Sequence, residues 1–253
     1  MLNVISSEFY KIFKSKIFYV ISIILLAMNC ISFVISIFLK KSILTPSKLK
    51  GQMLVTGFSS YRQSYNADFV FYIILIFVVC LITFEYANGS IRQMACHGIV
   101  RWKLVLGQYI AMSSIITIIL LSFGILNLLT YTISFRLGEV PMAAFIRMNI
   151  GMICLFWGVS GVGTFLSYFI KSVSITIIVS MLLVVSSNLV VNLLTLLTKN
   201  DVFTKYSLTN MRNIIINFNS KPEDVVRCSI VFVLIGIITL LASSLIFSKR
   251  DID

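Results

Sequence analysis

Six stretches free of Asp, Glu, Lys and Arg punctuate the chain, at 17–39, 69–84, 104–135, 148–170, 172–198 and 228–248. Each is continuous in apolar residues and lacks the period-two alternation of a barrel strand, so the pattern predicts helices. About 20 residues cross the hydrocarbon core. The second stretch is short of that, and its helix is expected to start near Asn66 and run through Glu85. The third exceeds it and must tilt or project into water. The pattern therefore predicts an all-α membrane protein with six transmembrane helices, at about 17–39, 67–85, 104–135, 148–170, 172–198 and 228–248, in one domain spanning 1–253. Ahead of the first span, Ile5, Phe9, Ile12 and Phe13 recur at helical spacing beside Lys11, Lys14 and Lys16. Residues 1–16 thus read as an interfacial amphipathic helix, with its apolar side chains in the membrane and its lysines at phosphates. The first apolar run is a full span with no small-residue cleavage pattern, so no removable signal peptide is expected.

Polar punctuation fills the gaps. The loop 40–68 carries Pro46, Gly51 and Gly57 and reads as polar and partly irregular. Gly138-Glu139-Val140-Pro141 marks a turn and a helix restart. Ser220-Lys221-Pro222-Glu223 has capping-box spacing, so the last helix is expected to begin there, outside the bilayer, and run unbroken through the sixth span.

Composition sharpens this picture. The chain has 253 residues, is 58% hydrophobic and carries a formal net charge of +12, with a mean hydropathy of +1.00. The basic residues are spread over every loop rather than along one face. That argues against nucleic acid and for anionic lipid headgroups. They do not choose an orientation. The side holding the termini has its cations close to span ends. The other side has more of them, mostly in two long loops.

Candidate chemistry is sparse. The acids Glu8, Glu85, Asp251 and Asp253 fall on one side; Asp68, Glu139, Asp201, Glu223 and Asp224 fall on the other. None is placed at mid-membrane, where an ion-coupled transporter carries a titrating group. The single histidine, His97, sits in a polar loop, so paired-His metal chemistry and a Ser-His base are not expected. There is no Gly-rich phosphate loop. Cys30, Cys80, Cys96, Cys154 and Cys228 have neither metal spacing nor a disulfide framework, and they read as small buried hydrophobes. Asn88-Gly89-Ser90 matches a glycosylation acceptor by chance. Within the spans, Asn29, Gln108, Asn127, Asn149, Asn188 and Asn192 are neutral polar residues. Asn188 and Asn192 share a helical face with Ser187 and Thr195. Such a face serves interhelical hydrogen bonding or a polar stripe on a translocation path. Gly151, Gly158, Gly161 and Gly163 mark the fourth span for close helix packing. The aromatic second span either faces lipid or lines a pathway.

The loop after the second span carries the most information. Glu85-x-x-x-Gly89-Ser90-x-Arg92, followed by Arg101 and the restart of a hydrophobic helix, resembles permease subunits of type-2 ABC exporters. Glu8-Phe9-Tyr10-Lys11-x-x-Lys14-x-Lys16 is similar to that family's interfacial elbow helix, and Phe247-Ser248-Lys249-Arg250-Asp251-Ile252 to its tail. Length and elbow are similar to the small bacteriocin (lantibiotic) immunity and peptide-export permeases of Gram-positive bacteria.

The resemblance implies a bacterial cell membrane, both termini cytoplasmic, and a cytoplasmic coupling helix between spans two and three. It implies that Glu85, Tyr86, Gly89, Ser90, Ile91, Arg92 and Arg101 couple to a separate ATPase subunit, expected in two copies. A second permease chain, identical or related, completes the assembly. Phe71, Tyr72, Phe77, Asn188 and Asn192 are implied to line the translocation path, and Phe9, Lys11, Phe13, Lys14 and Lys16 to form the interfacial helix. ATP and Mg belong to the partner ATPase; this chain is expected to bind no cofactor or metal and to have no catalytic site. The expected function is ATP-driven export of an amphipathic or antimicrobial peptide. The alternatives are a small-molecule antibiotic or ion exporter of the same family, or a scaffold or channel subunit without an ATPase.

Overall fold

The computed structural model describes residues 2–42, 56–66, 68–96, 100–198, 205 and 207–249. Ten helices organise them: α1 (Leu2–Lys14), α2 (Lys16–Ser42), α3 (Gly57–Gln63), α4 (Phe69–Ala87), α5 (Ser90–Cys96), α6 (Arg101–Ser134), α7 (Met142–Ile170), α8 (Val173–Thr198), α9 (Leu208–Ile216) and α10 (Pro222–Lys249). There is no strand among the described residues. Six helices, α2, α4, α6, α7, α8 and α10, are long and apolar enough to span a membrane. The protein is a multi-pass, all-helical membrane protein.

The six are not equivalent. More than half of the apolar stretch is buried within the chain in α4, α6 and α7, against less than a quarter in α2, α8 and α10. The first three form the inner layer and the others wrap it. Lipid is as apolar as Leu, so hydrophobicity alone cannot sort the helices; close packing and polar contacts do. The α7–α10 contact is the closest-packed. A Cβ on Gly158 would lie 2.5 Å from the Phe232 carbonyl oxygen, and one on Gly161 would lie 3.0 Å from Gly236 Cα. Only glycine lets these backbones approach so nearly. Between α6 and α7, Ser113 and Ser160 share a hydrogen bond of 2.6 Å. Tyr109 donates to the Trp157 carbonyl at 3.0 Å, and Trp157 donates to Thr117 at 3.2 Å. These bonds bury polar groups at mid-bundle with their partners supplied.

Several boundaries differ from the pattern-based expectation. The second span starts at Phe69, and the fourth starts at Met142, six residues before its uncharged run. That added turn and a half keeps Arg147 inside a helix because the side chain has partners: it donates to the Phe218 and Ser220 carbonyls at 3.3 and 3.1 Å. α10 does begin at Pro222, but the amides of Asp224 and Val225 donate to the Lys221 carbonyl, so Lys221 rather than Ser220 opens it. Pro222 then occupies the first helical position, where its missing N–H costs nothing. A capping box forms elsewhere, in the loop read as partly irregular. Thr56 Oγ1 accepts from the Ser59 amide at 3.2 Å, and Ser59 Oγ accepts from the Thr56 amide at 2.8 Å. It starts α3, a helix that the apolar pattern does not announce. Pro46, Gly51, His97 and the tail from Arg250 lie outside the described residues.

At 34 residues, α6 is about 51 Å long and outreaches a hydrocarbon core of about 30 Å. Gln108 near its start and Leu120 and Gly124 past its middle take part in two separate polar clusters.

Candidate functional site: a buried polar hub at the end of the bundle that carries α1

α1 runs along the bundle rather than lying free in lipid. Its buried stripe is Glu8 and Ile12, with half-buried Val4 one turn earlier, an i, i+4, i+8 face. Gly107 of α6 admits Val4, since a Cβ there would lie 2.8 Å from Val4 Cγ1. Ser15 then separates α1 from α2. Its amide closes on the Ile12 carbonyl at 3.0 Å, and its hydroxyl caps the amide of Phe18 at 3.3 Å. The expected apolar face is therefore split. Ile12 is buried against protein, Phe9 packs on the core, and Phe13 stays exposed. Lys14 and Lys16 are exposed, with the Lys14 ammonium 4.5 Å from the centre of the Tyr10 ring.

Glu8 is fully buried. Lys11 Nζ donates to Glu8 Oε1 at 2.7 Å and to Glu85 Oε1, at the last turn of α4, at 3.3 Å. It also meets Met94 Sδ of α5 at 3.5 Å. Gln108 Nε2 of α6 donates to Glu85 Oε2, and Tyr168 of α7 donates its hydroxyl hydrogen to Gln108 Oε1. One ammonium and two carboxylates thus join α1, α4, α5, α6 and α7. Burial by itself lowers the pKa of Lys11, but the charge of Glu85 and the bond and charge of Glu8 outweigh it and hold the ammonium above its ordinary 10.5. Glu8 Oε2 is sealed from water without a donor, so Lys11 is the cation on which both acids depend. A buried charge left without its counter-ion is strongly destabilising.

The other residues implied by the family resemblance sit around this hub. Glu85 faces inward and does not project from the loop. Tyr86 packs its ring edge-on to Tyr168 and Phe247, with the Lys171 ammonium 5.6 Å from its centre. Gly89 has φ +69° with no atom within 4 Å of a would-be Cβ. Glycine is used there for the left-handed turn and not for space. Ser90 opens α5. Ile91 is buried and anchors α5, Met94 is half-buried, and Gln93 is exposed. Ile91 and Met94 fasten α5 to the hub, and Gln93 is exposed. The Arg92 side chain lies outside the described residues. Arg101 Nη1 donates to the Phe247 and Ser248 carbonyls at 3.3 and 3.0 Å, closing the C-terminal end of α10. A cation is well placed there, at the negative pole of the helix.

The residues implied to line a pathway are not brought together. Phe71 and Phe77 are fully buried in the core of the chain, and Phe71 stacks under the Arg212 guanidinium at 5.4 Å. Tyr72 is half-buried and packs against the core. Asn192 is exposed on α8, and the Asn188 side chain lies outside the described residues. Sequence reasoning placed Glu8 and Gln108 among acids and amides without giving them a role, and it missed Tyr168. The legible signals were an i, i+3 acid–lysine pair in a short helix and an amide near the start of an apolar helix.

The far end is built from other materials. Tyr61 of α3 and Tyr65, in the turn just past its end, project into the bundle. Tyr65 donates to the Leu120 carbonyl at 2.9 Å, and Tyr61 donates to Asn149 Oδ1. Gly124 makes room for both rings, since a Cβ there would overlap Tyr65 Oη. Burial raises both hydroxyls above their ordinary 10.0, Tyr65 the more strongly. Arg212 of α9, itself buried, pairs with Asp68 at 2.6 Å.

Among the described residues no group of acids, histidines and cysteines is arranged to hold a metal ion. Comparison with curated proteins finds no match. A family model described as Protein of unknown function (DUF2705) matches residues 47–252. It covers α3 to α10 and hence five of the six spanning helices, and on that match the chain belongs to the DUF2705 family.

Proposed function

We propose that this protein is the membrane-spanning permease subunit of an ATP-driven exporter, carrying no catalytic site of its own. The observation that supports this most directly is the construction of α5. It follows a left-handed glycine, is fastened to the bundle by Ile91 and by the contact of Met94 with Lys11, and presents Gln93 to water. A helix held in this way transmits a push. Force applied to its outer face passes through Lys11 and Glu85 into α1, α4, α6 and α7 at once. In this reading the hub end is cytoplasmic in a bacterial cell membrane, and a separate ATPase, holding ATP and Mg, docks on α5.

Two permease chains and two ATPases complete the assembly. The exposed amide of Asn192 on α8 favours a partner there, because an amide against lipid is costly. Phe71 and Phe77 are fully buried and support the inner layer of each chain. The cargo proposed is an amphipathic peptide. The test is isolation of the intact complex in mild detergent from its native membrane. An ATPase subunit at one copy per permease is expected. ATP turnover should fall when Gly89 is replaced by Val, with membrane insertion kept. A complex without a nucleotide-hydrolysing subunit would end this proposal and leave a scaffold or channel.

A further inference from the structure

A groove runs along the outside of the bundle beside the α1–α2 break. Phe13 and Phe18 form one rim, Leu25 continues it along α2, and Ile115, Ile119 and Phe123 of α6 form the opposite wall. Its volume is about 250 Å³. α2 is a spanning helix with most of its surface outside the protein core, so the groove descends from the membrane interface into the hydrocarbon layer. A space of that size takes a run of methylenes. It does not take a helix, which is about 10 Å across with its side chains.

Charge follows the rim along the chain. Lys14 and Lys16 flank Ser15, next to the rim residue Phe13 in sequence, and both are exposed. The hub spends Lys11 on two carboxylates. Lys14 and Lys16 appear in none of the ion pairs among the described residues. Lys14 rests on the Tyr10 ring, a contact to the π-face that leaves its N–H donors to water or to a phosphate. An apolar slot whose rim residue Phe13 is followed in the chain by two exposed lysines outside those ion pairs has the recognition chemistry of an anionic lipid.

We propose that this groove binds one acyl chain of an anionic glycerophospholipid from the surrounding leaflet, with its phosphate held by Lys14 and Lys16. The bound lipid is wedged between α2 and α6 and meets α1 at Phe13, so it braces the interfacial helix from the side opposite the hub. This site does not depend on an ATPase partner.

The experiment uses the full chain reconstituted in vesicles of phosphatidylcholine doped with phosphatidylglycerol. The tracer is a lipid carrying a photoactivatable group in one acyl chain, with either headgroup. Cross-linked peptides are then mapped by mass spectrometry. Labelling of residues 22–26 and 115–126 is expected to be on the order of tenfold higher with the phosphatidylglycerol tracer than with the phosphatidylcholine tracer. Lys14→Gln with Lys16→Gln should erase that preference. Both lysines are exposed, so the variant keeps the fold. Ser22→Trp, which fills the groove, should lower labelling by both tracers. Equal labelling by the two headgroups in the unaltered chain would overturn the proposal, as would a preference that survives the double lysine variant. Cross-links from these residues to a second copy of the chain would also overturn it and assign the groove to a chain–chain contact.

Discussion

The two ends of the bundle solve the same problem with opposite chemistry. Each must join helices where the apolar spans give way to water. The hub end uses ions: Lys11 between Glu8 and Glu85, with Gln108 and Tyr168 behind them. The far end relies mainly on buried aromatic rings, Tyr61 and Tyr65 seated over Gly124 and Phe145 packed against Tyr61, with neutral hydrogen bonds to Leu120 and Asn149. Its ion pair, Arg212–Asp68, stands at the margin, with Asp68 partly exposed. The difference lies in reversibility. An aromatic plug gains from contact area and loses it all when displaced. A charge cluster can exchange partners at low cost if another polar group arrives. In the proposed exporter, the end that receives the ATPase gains from the second arrangement, and the opposite end gains from the first.

Substitutions can break or sharpen this contrast. The largest effect is expected at the far end. Tyr65→Ala removes a fully buried ring and should cost about 3–5 kcal/mol, read as a lower midpoint in denaturant titration of the detergent-solubilised protein. At the hub, Lys11→Met leaves two carboxylates without a cation. The cost should be about 2–3 kcal/mol, below the range for a fully buried pair because Lys11 is still about a third exposed. Proteolysis between α1 and α2 should rise in that variant, while far-end protection stays unchanged. If Tyr65→Ala and Lys11→Met proved coupled in a double-mutant cycle, the two ends would not be independent.

Raising the pH should reproduce part of the Lys11 loss. The pKa of Lys11 is raised in the fold, so its contribution is complete below 10.5 and is lost as the pH climbs through the higher folded value. Tyr61 and Tyr65 are also raised, and their neutral, bonded state contributes fully below 10.0 and is lost on further alkalisation. The contributions of Lys11, Tyr61 and Tyr65 should therefore hold through neutral pH and be lost in alkali. In Tyr61→Phe, the hub half of that loss should remain, as followed by α1 protection. The smallest effects are expected at two left-handed positions of the hub end. Gly89→Ala, at φ +69°, should cost about 1 kcal/mol. Lys171→Gly, at φ +63°, should stabilise by about 0.5–1 kcal/mol. Thermal unfolding midpoints check both.

The spans were legible because a charge is excluded from hydrocarbon, and that exclusion is written residue by residue. Gly89 was legible for the same local reason, as a polar turn between apolar runs. Glu8 was visible as an acid but not as a buried one. Nothing along the chain says that residues 8, 85, 108 and 168 meet, because they come from four helices. Phe71 and Phe77 show the same limit from the other side. A helix that is apolar all round has no face that its own sequence can assign, so their burial depended on which helices surround α4.

The sequence by itself determined the number of spans, the break before the first of them, the polar turn at Gly89 and the start of the last helix at Pro222. All follow from local solvation and backbone sterics. The tertiary structure alone decided which three helices are inner, which helices the glycines of the fourth span meet, and that Lys11 is a keystone while Lys14 and Lys16 stay outside the ion pairs. Lipid offers every apolar face the same welcome, so only the fit of neighbouring helices and the pairing of their few polar groups could make those choices.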